Sequence, residues 1–182
     1  GLLEPIGRSQ ILPYVQGLAD SGVGMSVLTF EKAPAPRCTT WQSLGPVSWM
    51  PLRYTKRPTV VSTLRDILVG IRVASRRAVT EHVDLVHARS YVAAVIGRQV
   101  ARRTGAKLLF DVRGLWPEER VDGDLWPADG WLFRLAKRVE RRMFAASDAL
   151  VTLTAAHARR LEGRAPIVAP IPCGVDLERF YP

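Results

Sequence analysis

The chain has 182 residues, of which 47% are hydrophobic and 24% charged, the composition of one soluble globular domain with a real core. Lys and Arg outnumber Asp and Glu by 26 to 17, so the formal charge of +9 favours anionic partners. No apolar run reaches the ~20 residues needed to cross a bilayer, and no secretory leader is visible at Gly1. Cys38 and Cys173 lie far apart without a C-x-x-C spacing, and His82, His87 and His157 lack metal-ligand spacing. Both cysteines are therefore expected as free thiols in a reducing cytoplasm, with no metal site.

In chain order, Gly1–Arg8 reads as a loop. Residues 9–21 read as a helix capped by Ser9, with Pro13 in its first turn and Gly22 ending it. Residues 25–30 read as a buried strand. Residues 32–58, punctuated by Pro34, Pro36, Pro46, Pro51 and Pro58, read as loop with one short strand near Val47–Leu52. A helix is expected over 60–80, with Leu64, Ile67, Leu68, Ile71 and Ala74 on one face.

Then come a strand at Asp84–His87, a helix over 91–103 and a strand at Leu108–Asp111 running out at Val112-Arg113-Gly114. A helix over 131–146, a strand at Ala149–Leu153, a helix over 154–162 and a strand over 166–171 complete the order. Strands alternating with helices imply a Rossmann-like α/β domain over residues 1–171, an open parallel sheet with helices on both faces. Residues 172–182 read as a connector. A chain opening on a loop implies that the first strand of such a fold is missing.

Ligands of open α/β sheets bind outside the carboxyl ends of the strands. That rule selects three segments: Gly1–Gln10, His87–Tyr91 and Asp111–Arg120. In the first, Gly7 permits close backbone approach, Ser9 opens a helix whose N–H groups favour an anion, and Gln10 follows. In the second, Arg89 and Ser90 leave a strand directly, and a guanidinium suits phosphate or carboxylate; His87 reads as a buried, hydrogen-bonded strand histidine. In the third, Asp111, Arg113, Gly114, Glu118, Glu119 and Arg120 crowd one loop stiffened by Trp116 and Pro117, the mixture of charges whose pKa values active sites tune. Gly22-Val-Gly24 lacks a third glycine and precedes a strand, so a dinucleotide cradle is excluded.

On the 131–146 helix, Leu132, Leu135, Ala136, Val139 and Met143 form an apolar face. Arg134, Lys137, Arg138, Arg141 and Arg142 lie opposite. Basic residues also close the two preceding helices, at Arg72, Arg76 and Arg77 and at Arg98, Arg102 and Arg103, where the helix dipole favours them. With +9 overall, contact with an anionic membrane is the sharper reading. Nucleic acid is not expected as a partner, because no binding motif is present and aromatics do not interleave with the basic stretches.

GLLEPIGRSQILPYVQGLADSG, DLVHARS, LLFDVRGLWPEER and SDALVTLTAAHARRL running on to IPCGVDLERF together resemble the N-terminal half of family 4 glycosyltransferases of the GT-B class. The resemblance implies an acceptor-binding domain facing a second, nucleotide-sugar-binding domain beyond Pro182. It implies sugar transfer, retaining and without a metal or other cofactor, from a nucleotide-sugar to a glycan or lipid-linked acceptor. It implies a donor or acceptor contact at Gly7, one glycine where many members have two. Arg113 stands where many members carry a histidine, and as a fixed cation it could hold a sugar hydroxyl or the leaving diphosphate but not act as a base. Glu118 and Glu119 fall on the same loop as acceptor contacts, with Arg113 and Glu119 the catalytic candidates. A non-catalytic binding module and a basic nucleic-acid-binding domain are the competing readings.

Overall fold

The computed structural model describes residues 1–32, 40–55 and 59–174. Cys38, Pro34, Pro36, Pro58 and the tail from Val175 lie outside the described residues. The chain forms two compact units, one of Gly1–Gly70 with Gly174–Pro182 and one of Ile71–Cys173, the first boundary falling inside a helix.

The first unit opens with two short helices, α1 (Pro5–Gln10) and α2 (Leu12–Asp20). Helix therefore begins at Pro5 rather than Ser9, because proline is pre-set for a first turn. Ser9 is not a cap. Its hydroxyl lies within α1 and donates back to the Pro5 carbonyl at 2.9 Å. A mixed three-stranded sheet follows, β1 (Ser26–Glu31), β2 (Gln42–Leu44) and β3 (Val47–Arg53), in the order β1-β3-β2. β1 runs parallel to β3, and β2 antiparallel to it. The sequence reading missed β2, a three-residue strand of mostly polar residues joined to β3 through Gly45-Pro46, with Gly45 at φ 60°. Pro51 is tolerated in the central strand because β2 pairs only with Val47–Trp49, leaving β3 one neighbour at that level. Buried Glu31 is held by the Leu2 N–H and the Thr29 hydroxyl, and Trp49 Nε1 donates to Thr29 in turn. Helix α3 (Thr59–Thr80) runs into the second unit. The apolar face read from the sequence is not its enclosed one: Leu64 and Leu68 are exposed, whereas Ser62, Asp66, Gly70 and Ala78 are buried.

The second unit is the Rossmann-like α/β body. It runs β4 (Leu85–Arg89), α4 (Tyr91–Thr104), β5 (Lys107–Val112), α5 (Trp116–Asp122), α6 (Trp131–Ala145), β6 (Ala149–Thr152), α7 (Ala155–Leu161) and β7 (Ile167–Pro170). The strands form a parallel sheet in the order β4-β5-β6-β7. Leu108, Phe110, Val112 and Leu150 are its fully enclosed residues, packed with Ala94, Met143, Phe144 and Leu161 from the helices. α4 lies close to the sheet because Gly97 faces it: a Cβ there would stand 3.1 Å from Ala88 and Leu108 side-chain atoms. Gly105, at φ 78°, closes α4, and the Thr154 hydroxyl caps α7 by accepting from His157 N–H at 3.1 Å.

The segment expected as a post-strand loop over Asp111–Arg120 is corrected in part. From Trp116 it is helix α5, started by Pro117 with Glu118 and Glu119 in the first turn.

Candidate functional site

The register of the parallel sheet sets Arg89 beside Asp111 at the carboxyl ends of β4 and β5. Asp111 is 3% exposed. Its Oδ2 accepts from Arg113 Nε at 2.8 Å and lies 3.8 Å from His87 Nε2, while buried Oδ1 has no hydrogen-bond partner among the described residues. Burial alone would push this carboxyl up, but His87 and the Arg113 guanidinium outweigh it and hold it below its ordinary value. The Arg113 guanidinium also points Nη1 at Cys173 Sγ, 3.3 Å away, beyond the end of β7. His87 is corrected: half of its side chain is exposed, and it faces Asp111 instead of being enclosed.

Ser90 joins β4 to α4 with φ 83° and ψ 166°, a region that side-chain-bearing residues rarely enter and that stores about 1–3 kcal/mol of strain. It is held there from both sides: its N–H donates to the Asp111 carbonyl at 3.2 Å, and its carbonyl accepts from Ala94 N–H at 2.9 Å.

Behind these residues lies a buried network that the sequence reading did not find. Glu140 on α6 is 1% exposed. It accepts from Tyr91 Oη at 2.6 Å and pairs with Lys137, which also reaches Glu118 Oε1 at 2.8 Å. Tyr91 Oη lies 3.3 Å from the Gly114 carbonyl as well, fixing the turn after Arg113. Burial, and then the Glu140 carboxylate, push the Tyr91 phenol far above its ordinary value. A signal existed in the sequence. Glu140 is the one acid in the otherwise basic α6, three residues before Met143 on the core-facing side.

The Glu119 carboxylate lies over Gly114, in the space a Cβ would take, and as the end of an exposed side chain it can move aside. An aromatic group surrounds the site: Tyr91 packs edge-on to Phe110, Trp116 edge-on to Trp126, and the Arg120 guanidinium sits 5.3 Å over the Trp116 ring.

The structure thus brings together Arg89, Ser90, Asp111, Arg113, Gly114, Glu118 and Glu119 at one end of one sheet. Gly7, Ser9 and Gln10 belong to the other unit. Gly7 is buried against the carbonyls of Gly1 and Leu2, so its own turn accounts for the glycine. Glu118 is committed to Lys137, with its second oxygen buried and unpaired, whereas Glu119 is exposed. Among the described residues no group of three or more His, Cys, Asp or Glu is placed to hold a metal ion, and no helix is long and apolar enough to cross a membrane.

No curated protein matches the chain. The sequence profile of the glycosyl transferase 4-like domain matches residues 8–174, a span that takes in both compact units and every candidate site residue from Ser9 to Glu119. The chain with the Asp111–Arg113 pair at the carboxyl end of its parallel sheet belongs to that family, the family 4 type of GT-B glycosyltransferases.

Proposed function

We propose that this chain is the acceptor-side domain of an enzyme that moves a hexosyl group from a nucleotide-sugar to a glycan or lipid-linked acceptor, with retention, at the cytoplasmic face of a membrane. Residues 1–171 form that domain, and 172–182 lead to a donor-binding partner domain. In the reaction the bond from the anomeric carbon to the diphosphate oxygen breaks and the acceptor hydroxyl oxygen takes its place. The acceptor's proton leaves to the diphosphate.

The observation that carries this reading is the pair of buried Asp111 and half-buried Arg113, with one carboxylate oxygen unsatisfied among the described residues, where an α/β sheet receives ligands. Asp111 fixes the guanidinium, and Arg113 presents a permanent cation to a sugar hydroxyl or the departing diphosphate. Exposed Glu119 stands closer to the role of an acceptor contact than Glu118, whose charge Lys137 already holds. Arg89, Ser90 and Gly114 shape the rim, and Gly7, Ser9 and Gln10 are proposed substrate contacts. The nucleotide-sugar enters as co-substrate, and neither a metal nor nucleic acid is required.

Release of nucleoside diphosphate from a panel of nucleotide-sugars, with soluble glycans and lipid-linked sugars as acceptors, tests the reading. Turnover is expected when a donor-binding domain accompanies the chain and not from the chain alone. No release from any donor in the presence of that domain would overturn it.

A further inference from the structure

In helix α6 the sequence groups Leu132, Leu135 and Val139 on one face, with the basic residues opposite. The helix does not turn the whole of that apolar face to the core. Its core-facing side is Glu140, Met143 and Phe144, and Lys137 turns inward to Glu118 and Glu140. Leu132, Leu135 and Val139 are exposed, Leu135 by 49%, and Trp131 at the start of the helix by 68%. Three- and four-residue spacing aligns Leu132, Leu135 and Val139 in one stripe. Arg138 and Arg142, in the row that begins at Trp131, border it. Among the described residues neither has a carboxylate partner.

We infer that this face of α6 docks on an anionic membrane surface. The stripe lies on the same helix as the buried Glu140 network, so it is a rigid feature of the second unit. Arginines beside a row of large apolar side chains suit a lipid headgroup layer, where the leucines enter the acyl boundary and the guanidinium groups stay among phosphates. Trp131 is the residue type that settles at such an interface. A nucleic-acid backbone would engage the arginines but leave the stripe and Trp131 in water. An apolar protein groove would cover the stripe and leave the cations unmatched. The helix dipole does not account for the charge, since Arg134 and Arg138 lie before the last turn. The second unit as a whole supports the attraction, with 18 Lys and Arg against 11 Asp and Glu over residues 71–173.

Docking goes beyond sugar transfer and is measured without turnover, so either can fail alone. Co-sedimentation of the full chain with vesicles of phosphatidylcholine alone, or mixed with equal phosphatidylglycerol, is the test. Binding is expected to the anionic vesicles, weakened by salt, and not to the neutral ones. Arg138→Ala with Arg142→Ala should weaken it about thirtyfold, at about 1 kcal/mol for each arginine near the surface. Leu135→Asp with Val139→Asp should abolish it, while circular dichroism and melting stay unchanged because both positions are exposed. Equal binding to both vesicle types, binding to neither, or unaltered binding by both double variants would overturn the inference. A dimer in sedimentation velocity that Leu135→Asp with Val139→Asp splits, without vesicle binding, would assign the face to a second copy instead.

Discussion

The two ends of the parallel sheet carry charge in different ways. At the amino end, Asp148 and Lys107 are solvent-facing and matched: Asp148 accepts from Lys107 Nζ and from Leu108 N–H, each at 2.9 Å. At the carboxyl end, Asp111 and Glu140 are buried, Asp111 Oδ1 and Glu118 Oε2 have no partner among the described residues, and Ser90 is held in a strained backbone region. A fold serving stability alone would satisfy such groups or leave them in water. Unpaired polarity and strain gathered at one end mark where the chain gives up stability for chemistry.

The sharpest way to break that contrast is Glu140→Ala. It leaves half-buried Lys137 paired with Glu118 alone and the Tyr91 hydroxyl with only its longer contact to the Gly114 carbonyl, so we expect a loss of about 1–3 kcal/mol in urea unfolding. Glu140→Gln, which keeps acceptors for Tyr91 and Lys137, should lose less. Equal losses would mean that the charge of Glu140 does not matter.

Next in size is an effect on turnover rather than folding. In the enzyme joined to its donor-binding domain, Arg113→Ala should lower kcat roughly a hundredfold, the scale of removing one preorganised charge donor. The fold should survive but melt at a lower temperature, because the buried Asp111 carboxylate loses its 2.8 Å partner. Arg113→Lys, lacking the fork that reaches both Asp111 and Cys173, should recover little. Asp111→Asn should act on the same step and leave a second trace. Because its folded pKa lies below the ordinary carboxylate value, Asp111 contributes stability fully above that value and loses it as pH falls through the folded pKa. The variant's stability should therefore change less than the wild type's below about pH 4. Identical acid profiles would remove Asp111 from the pair.

How much of this could be read in the sequence follows from the range of the interactions. Apart from α5, the elements of the second unit were legible because β4 to β7 and the longer helices between them repeat one local pattern, apolar strand then periodic helix. The grouping of Asp111, Arg113 and Gly114 was legible because it lies within a few residues of one strand end. Ser9 misled because its hydroxyl serves Pro5 within α1 rather than a helix start, a choice that proline made earlier in the chain. The outward stripe of α6 was hidden for a related reason. A helix with an acid on its core-facing side rotates toward the partners that acid finds, and Tyr91 lies forty-nine positions away.

A smaller effect sharpens the strain half of the contrast. Ser90→Gly should stabilise the fold by about 1 kcal/mol, the relief of the backbone exceeding glycine's added freedom in the unfolded chain. If the strain positions Arg89 and Tyr91, kcat should fall while stability rises, and that opposition is a readout a purely structural residue would not give. A loss of stability on Ser90→Gly would show that the Ser90 side chain supports this conformation.

The smallest expected effect is Asp148→Asn, and it closes the comparison. Asp148 lies below the ordinary carboxylate value, first through the Leu108 N–H and then through Lys107. Its contribution is accordingly present above that value and lost as pH falls. The asparagine keeps an oxygen for Leu108 N–H, and the lost ion pair is exposed to water, where such pairs add little. Unfolding in urea should therefore show a midpoint close to the wild type's, and added salt should erase what difference remains. A loss comparable to that of Glu140→Ala would mean that the amino end is held as tightly by charge as the carboxyl end, and the unsatisfied groups around Asp111 would no longer set the site apart.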